Sequence, residues 1–343
     1  MSTVSSELSA FGQLLMVGLP GPRLDSVARE LVRELQVGGI ILFARNLEGP
    51  EQVWELTRDL QREALAASGL PLLIAVDQEG GMVQRLKAPF TLIPRARELG
   101  LRASPQEVET LARKTAQELA LVGINVNLAP VLDVARGPEC PLYERSYGAD
   151  PERVAAFGEA AIRGYLGGGA LPVAKHFPGL GDTVQDSHVE LPDAQEKDPA
   201  RAVDLLPFRR AIAAGVPLIM TAHTLAPEWD SRPGTLSPVA IQTWLRQNLG
   251  FGGVVMTDDL EMGAIAERTR APQAARQALM AGADLLLICN DVQAAWETAA
   301  LLAQDKELQD RGKEAGRRLA DLRQRLTVAA ASRAEVKHYF NPG

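Results

Sequence analysis

Eight short, nearly uninterrupted apolar runs, each trailed by a longer stretch of helical periodicity, constrain this chain more than any other feature. The runs fall at residues 14–18, 39–44, 72–76, 125–131, 171–175, 217–223, 253–257 and 284–289. Between and after them lie amphipathic stretches at 23–36, 51–67, 105–122, 151–166, 200–214, 238–248, 271–281 and 294–303. A crossover helix between neighbouring strands is the mark of a parallel sheet. Runs that are apolar at every position, not at alternate ones, are strands buried on both faces. Eight such units fit an α/β fold, a (β/α)8 barrel of the TIM type, ahead of a doubly wound open sheet. No Ser/Gly/Pro-rich linker and no internal repeat divides the chain, so a single domain over residues 1–343 is expected. A further helical pattern at 306–326 is expected to pack outside the barrel. Gly167-Gly168-Gly169 precedes a run instead of following one, so it reads as a helix C-cap and turn, not a phosphate cradle.

The chain's chemistry narrows the functional classes. With 46% hydrophobic residues it can bury a sizeable core, and its net charge of −7 argues against a general nucleic-acid or anionic-membrane binder. Arg317, Arg318, Arg323 and Arg325 alternate with Leu319, Leu322 and Leu326, which reads as a solvated helix face. The two cysteines, Cys140 and Cys289, are far apart and form no CxxC pair, so neither a disulfide framework nor a structural zinc site is expected. The N-terminus carries no basic and apolar signal pattern, and no run approaches a membrane span. A cytoplasmic monomer is the expectation.

A barrel of this kind carries its active site at the C-terminal ends of its strands. Polar and ionisable residues cluster there: Asp77, Asp133, Lys175-His176, His223 and Asp258-Asp259 each follow an apolar run, and the run starts show no comparable set. The richest stretch is 175–188, Lys-His-Phe-Pro-Gly-Leu-Gly-Asp-Thr-Val-Gln-Asp-Ser-His, a glycine-punctuated loop holding two of the four histidines. No serine sits in a GxSxG elbow and no cysteine offers itself as a nucleophile. What remains is carboxylate plus a proton-transfer group, the minimum for splitting an acetal. Side chains alternate along a strand, so only one of Asp258 and Asp259 is expected to face the barrel mouth.

These pieces resemble the single-domain family 3 glycoside hydrolases of the bacterial β-N-acetylglucosaminidase type. The matching segments are Val76-Asp77-Gln78-Glu79-Gly80-Gly81, Asn127-Leu128-Ala129-Pro130-Val131-Leu132-Asp133-Val134, Glu144-Arg145-Ser146-Tyr147-Gly148, the 175–188 stretch, Met220-Thr221-Ala222-His223 and Met256-Thr257-Asp258-Asp259-Leu260. They keep the family's order from about residue 40 to 290, with Lys-His-Phe-Pro-Gly followed by Gly-Asp-Thr and Asp-Ser-His the most specific.

The resemblance implies a retaining enzyme that removes terminal, non-reducing β-linked N-acetylglucosamine from a small carbohydrate substrate, a muropeptide in cell-wall recycling or a chito-oligosaccharide. It places the nucleophile on Asp258, the acid/base on His188 and the histidine's orienting carboxylate on Asp186. Sugar contacts fall on Asp77, Arg85, Arg145, Lys175 and His176. Asp259 is expected to cap the next helix, and His223 and Asp133 to form a hydrogen-bonded floor beneath the site. Arg85 could alternatively pair with Glu79. No cofactor or metal is implied.

Two residues depart from the pattern: Leu180 stands where a second histidine is usual, and Met82 where an arginine is common. Neither is a catalytic position, but both bear on the loop and on groups beyond the first sugar. Leu180 is expected to pack the loop more tightly on the barrel. Competing readings keep the fold but use phosphate as acceptor, or shift the substrate to a β-glucoside. A metal site on His176, Asp182, Asp186 and His188 has adequate ligands but matches no metal-binding spacing.

Overall fold

The computed structural model describes residues 3–181, 183, 199–326 and 331–341. Eight parallel strands close into a barrel: β1 (Leu15–Gly18), β2 (Gly39–Leu42), β3 (Leu73–Val76), β4 (Val126–Asn127), β5 (Leu171–Phe177), β6 (Leu218–Thr221), β7 (Val254–Asp259) and β8 (Leu285–Ile288). Each pairs with its neighbours in chain order, and β1 closes on β8 through Leu15–Leu286 and Val17–Ile288 register. Every residue of β1, β2, β3 and β8 is buried, as strands sandwiched between barrel interior and helix layer must be.

The helices begin and end where local chemistry dictates. Asp25 caps Ser26–Arg33 by accepting from the Ala28 N–H at 2.8 Å, and Ser104 with Glu107 forms a reciprocal cap on Pro105–Leu121. Pro50, Pro105 and Pro151 open their helices, where no amide hydrogen is required. The glycine triplet ends Pro151–Gly168, with Gly169 in the left-handed region at φ 94°.

Three local expectations change. The fourth strand is much shorter than 125–131: regular pairing stops at Asn127, where Ala129 N–H turns back to Asn127 O at 2.8 Å, and beyond it β5 donates only to Ala129 O and Pro130 O. An isolated bridge between Val131 and Lys175 resumes the contact, and Leu132 N–H reaches Lys175 O at 2.6 Å. Among the described residues four helices, Thr3–Gly12, Ala96–Arg102, Gly263–Ala266 and Arg333–Phe340, and two short hairpins add to the expected pattern. The arginine face of 306–326 is only half solvated. Arg317 and Arg325 are exposed, whereas Arg323 is buried and donates to Pro71 O, Gly38 O and Gln13 Oε1 at the strand-start end of the barrel.

That end also carries a charged cluster that the apolar runs conceal. Asp284 is fully buried just before β8 and is ringed by Arg246, Arg311 and Arg318, while Asp284 Oδ2 accepts from Val255 N–H at 2.9 Å. The helix Gln309–Arg323 is thereby fastened across the barrel's base. Among the described residues no helix is long and apolar enough to cross a membrane.

Candidate active site

At the opposite end, where the strands stop, lies a cavity of about 450 Å³. That volume falls within the usual range for small-molecule sites. Buried apolar side chains from the barrel interior, Ile41, Leu128, Met220 and Leu287, close its base. Exposed Met82, Pro141 and Asn290 stand at its mouth. Between base and mouth the wall is polar and comes from strand ends: Asp77 after β3, Lys175 and His176 on β5, Asp258 and Asp259 on β7, with Arg85 and Arg145 from loops.

One wall is a chain of alternating charges. Arg145 donates twice to Glu79, at 2.9 and 2.8 Å, and Lys175 Nζ lies 2.6 Å from the same carboxylate. Lys175 also donates to Asp77 Oδ1 at 2.8 Å, and Arg85 stands 3.7 Å from Asp77 Oδ2. Burial alone would neutralise Glu79, yet Lys175 and Arg145 outweigh it and hold its pKa at about 2. The same competition runs through Lys175: burial favours the neutral amine, and the carboxylates of Asp77 and Glu79 overcome it and raise the pKa. The wall therefore presents fixed ionised groups, carboxylate and ammonium side by side, matched to the donor and acceptor hydroxyls of a sugar.

Asp133 builds the floor, as expected. It is buried, and its Oδ2 accepts from both the backbone N–H and Nδ1 of His176, at 3.1 and 2.7 Å. Facing a carboxylate, Nδ1 carries the proton. Asp133 Oδ1 accepts from Leu180 N–H at 2.7 Å, so one carboxylate fixes both the histidine and the start of the following loop. His223 is likewise buried, with Nδ1 2.8 Å from Thr235 Oγ1 and Nε2 donating to Asp259 O at 2.8 Å.

Asp258 is the last residue but one of β7, opposite the charged wall. Its Oδ1 accepts from Asp259 N–H at 2.8 Å. Burial pushes its pKa up, but His176, His223, that N–H and Lys175 more than compensate and leave it below the usual aspartate range. The neighbouring Asp259 behaves oppositely: burial raises its carboxyl to about 6 despite bonds from Glu261 and Cys289 N–H. Adjacent aspartates thus differ because one faces cations and the other does not. Asp259 lines the cavity as well and ends the strand in a turn; Met262, not Asp259, precedes the short helix Gly263–Ala266.

The structure brings Asp77, Arg85, Arg145, Lys175, His176 and Asp258 around one cavity. Arg85 is not paired with Glu79, whose oxygens are taken by Arg145 and Lys175, and its Nε finds no hydrogen-bond partner among the described residues. Asp182, Asp186 and His188 lie outside the described residues. Glu79 was readable only as a pairing candidate, although it follows Asp77 by two residues and so continues the same face of a strand end. Cys289 also lines the cavity, but burial and the two aspartates push its thiol well above the ordinary range, so it stays protonated. Among the described residues no cluster of His, Cys, Asp and Glu has the makings of a metal site.

Leu180 is 4% exposed and packs with Ala135, Cys140, Leu142 and Ala222 in a small apolar cluster beside the cavity. Leu180 thus turns one side to this cluster and another to the cavity that it lines.

Comparison with known proteins bears on this geometry. A β-hexosaminidase from Alkalilimnicola ehrlichii is 40% identical over 287 residues, 82% of this chain and 81% of its own length. The family 3 β-N-acetylglucosaminidase structure from Paenibacillus sp. str. FPU-7 superposes with a TM-score of 0.92 at 41% identity; the match covers 95% of this chain and 63% of that longer one. NagZ from Neisseria gonorrhoeae, solved in complex with N-trifluoroacetyl-D-glucosamine, gives 0.81 at 30% identity over 96% of this chain and 93% of that one. The model of the glycosyl hydrolase family 3 N terminal domain matches residues 9–328. Strand order, strand-end chemistry and sequence agree, and the chain belongs to glycosyl hydrolase family 3.

Proposed function

We propose that this chain is a retaining exo-β-N-acetylglucosaminidase that uses Asp258 as nucleophile and His188, oriented by Asp186, as acid/base. The observation that carries the reading is Asp258 itself: a half-buried carboxylate kept ionised near a strand end, in a cavity closed at its base and opposite a wall of sugar-complementary charges. The β-hexosaminidase relatives and the glucosamine derivative bound to the Neisseria protein support N-acetylglucosamine as the sugar.

In the first step an Asp258 oxygen attacks the anomeric carbon as the glycosidic C–O bond breaks. His188, as imidazolium, gives its proton to the departing oxygen, and a covalent glycosyl-enzyme forms. Water then attacks the same carbon from the vacated side and loses a proton to neutral His188, freeing Asp258 and retaining the configuration. An imidazole titrates near pH 6.5, and an adjacent carboxylate steadies its cation, which suits both directions of transfer. Asp77, Arg85, Arg145, Lys175 and His176 hold the ring's hydroxyls. The cellular role we assign is release of terminal N-acetylglucosamine from muropeptides in cell-wall recycling. We assign it to a single barrel domain working as a monomer in the cytoplasm.

Turnover of an aryl β-N-acetylglucosaminide by wild type, Asp258→Ala and His188→Ala tests the assignment. Asp258→Ala abolishes turnover. His188→Ala loses activity heavily on a poor leaving group and little on an activated phenol that needs no proton. Equal losses on both leaving groups remove His188 from the acid role. Appearance of sugar 1-phosphate in phosphate buffer would make the acceptor phosphate instead of water.

A further inference from the structure

We infer that Met82 and its neighbours at the cavity mouth form an apolar aglycone subsite, selective for a second ring without a free carboxylate, whether neutral N-acetylglucosamine or a muropeptide ring whose ether carboxylate is amidated by its peptide. The inference rests on the proposed exo-glycosidase reading and names the substrate class of that same site.

A cavity closed at its base takes the chain's terminal ring inward and leaves the aglycone at the mouth. The mouth residues therefore meet the leaving group. Met82 is 61% exposed, a large apolar side chain held in water beside a polar site. Exposed Pro141 and half-buried Phe43 line the same cavity. Isolated exposed methionines need no explanation, but a methionine on a cavity rim beside proline and an aromatic ring makes a platform that a sugar's C–H face can cover.

The platform is rigid. Met82 sits at the turn of the hairpin Gln78–Gly80/Val83–Gln84. The turn glycines have positive φ, 121° at Gly80 and 57° at Gly81, and each is packed so closely that a Cβ would come within 2.5 Å of Pro94 O or Arg95 Cγ. Gly81 N–H donates to Ile93 O at 2.9 Å. The same hairpin leads into Arg85 beside Asp77, so the element that meets the inner ring also presents Met82 to the outer one. The cations nearby are engaged: Arg95, whose stem packs on Gly81, pairs with Glu144 at 3.0 Å, Arg145 donates to Glu79, and Arg85 faces Asp77. No side chain of the hairpin turn offers a cation to an aglycone carboxylate.

The test compares kcat/KM for two β-linked disaccharides, one ending in neutral N-acetylglucosamine, the other carrying a free carboxylate ether on its second ring. Wild type, Met82→Ala and Met82→Arg are used, with inhibition by N-acetylglucosamine as a readout of the inner ring alone. Wild type prefers the neutral substrate about fivefold or more; Met82→Ala loses about five- to tenfold on it, and Met82→Arg brings the ratio to one or below, the scale expected of one rim contact. Inhibition by the monosaccharide stays within twofold in both variants, about the reproducibility of such a constant. Turnover of both disaccharides that is indifferent to Met82, or a monosaccharide constant that moves in step, overturns the subsite alone. No turnover of any N-acetylglucosaminide by wild type overturns the functional reading and the subsite with it.

Discussion

Replacing Glu79 by glutamine keeps the side chain's shape but removes the carboxylate that Arg145 and Lys175 share. The magnitude follows from its titration. Native Glu79 has a pKa of about 2 against an ordinary 4.5, so the unfolded chain binds more protons than the native one as acid is added. Its stabilisation is complete above about pH 6 and is lost as pH falls through 4.5 toward 2. That displacement is worth about 3 kcal/mol at pH 7, in line with the cost of breaking a buried ion pair. By pH 3 the difference shrinks to about 1 kcal/mol. Urea unfolding of wild type and Glu79→Gln at the two pH values, with the slope m checked for constancy, measures both numbers. A loss under about 1 kcal/mol at pH 7, or the same loss at both pH values, would refute the charge-chain account. Activity should fall as well, chiefly through KM, because Lys175 and Arg145 lose the anchor that aims them.

Asp259→Asn should gain stability at pH 8, by up to about 3 kcal/mol, because the native carboxyl resists ionisation; the gain is nearly gone by about pH 4 and vanishes below about pH 3, where both states are protonated. Equal stability of the pair at pH 8 and pH 4 would contradict it. Leu180→His should cost about 1–2 kcal/mol in thermal or urea unfolding, since a polar ring replaces the alkyl group that packs on Ala135, Cys140, Leu142 and Ala222; unchanged stability, with unchanged kinetics and loop order, would show that tight apolar packing is not Leu180's role. Arg323→Leu should lower the unfolding free energy by about 2 kcal/mol by orphaning the carbonyls it serves, with kcat/KM unaltered; a change in kcat/KM would tie the barrel's base to the site.

Most of the barrel was legible because each strand is buried on both faces, which writes an apolar run directly into the sequence. The helix Ala271–Ala281 coincides with the expected span for the same kind of reason: its apolar stripe ends at a glycine in the left-handed region. The site was legible to the extent that it obeys the strand-end rule, which places Asp77, Lys175, His176 and Asp258 without any contact being known.

What escaped depends on contacts between distant segments. Glu79 gains its meaning only when Arg145 and Lys175 arrive from elsewhere in the chain, and no local pattern announces that meeting. Asp284 looked like the polar start of a strand, yet three arginines converge on it from two helices. Arg318 and Arg323 sit at helical spacing with exposed neighbours, but long aliphatic stems carry their heads around the helix to buried acceptors. The hairpin strands Gln78–Gly80, Val83–Gln84, Leu225–Ala226 and Asp230–Pro233 are too short for any period to show.

The shut base of the cavity has a kinetic consequence. A polymer cannot thread through this barrel, so under the proposed exo action each cut leaves a single sugar lodged at a dead end, and it must retreat by the route it entered. The shortened glycan has to depart before that exit clears. Digestion of a long chain should therefore be distributive, with intermediates of every length accumulating together.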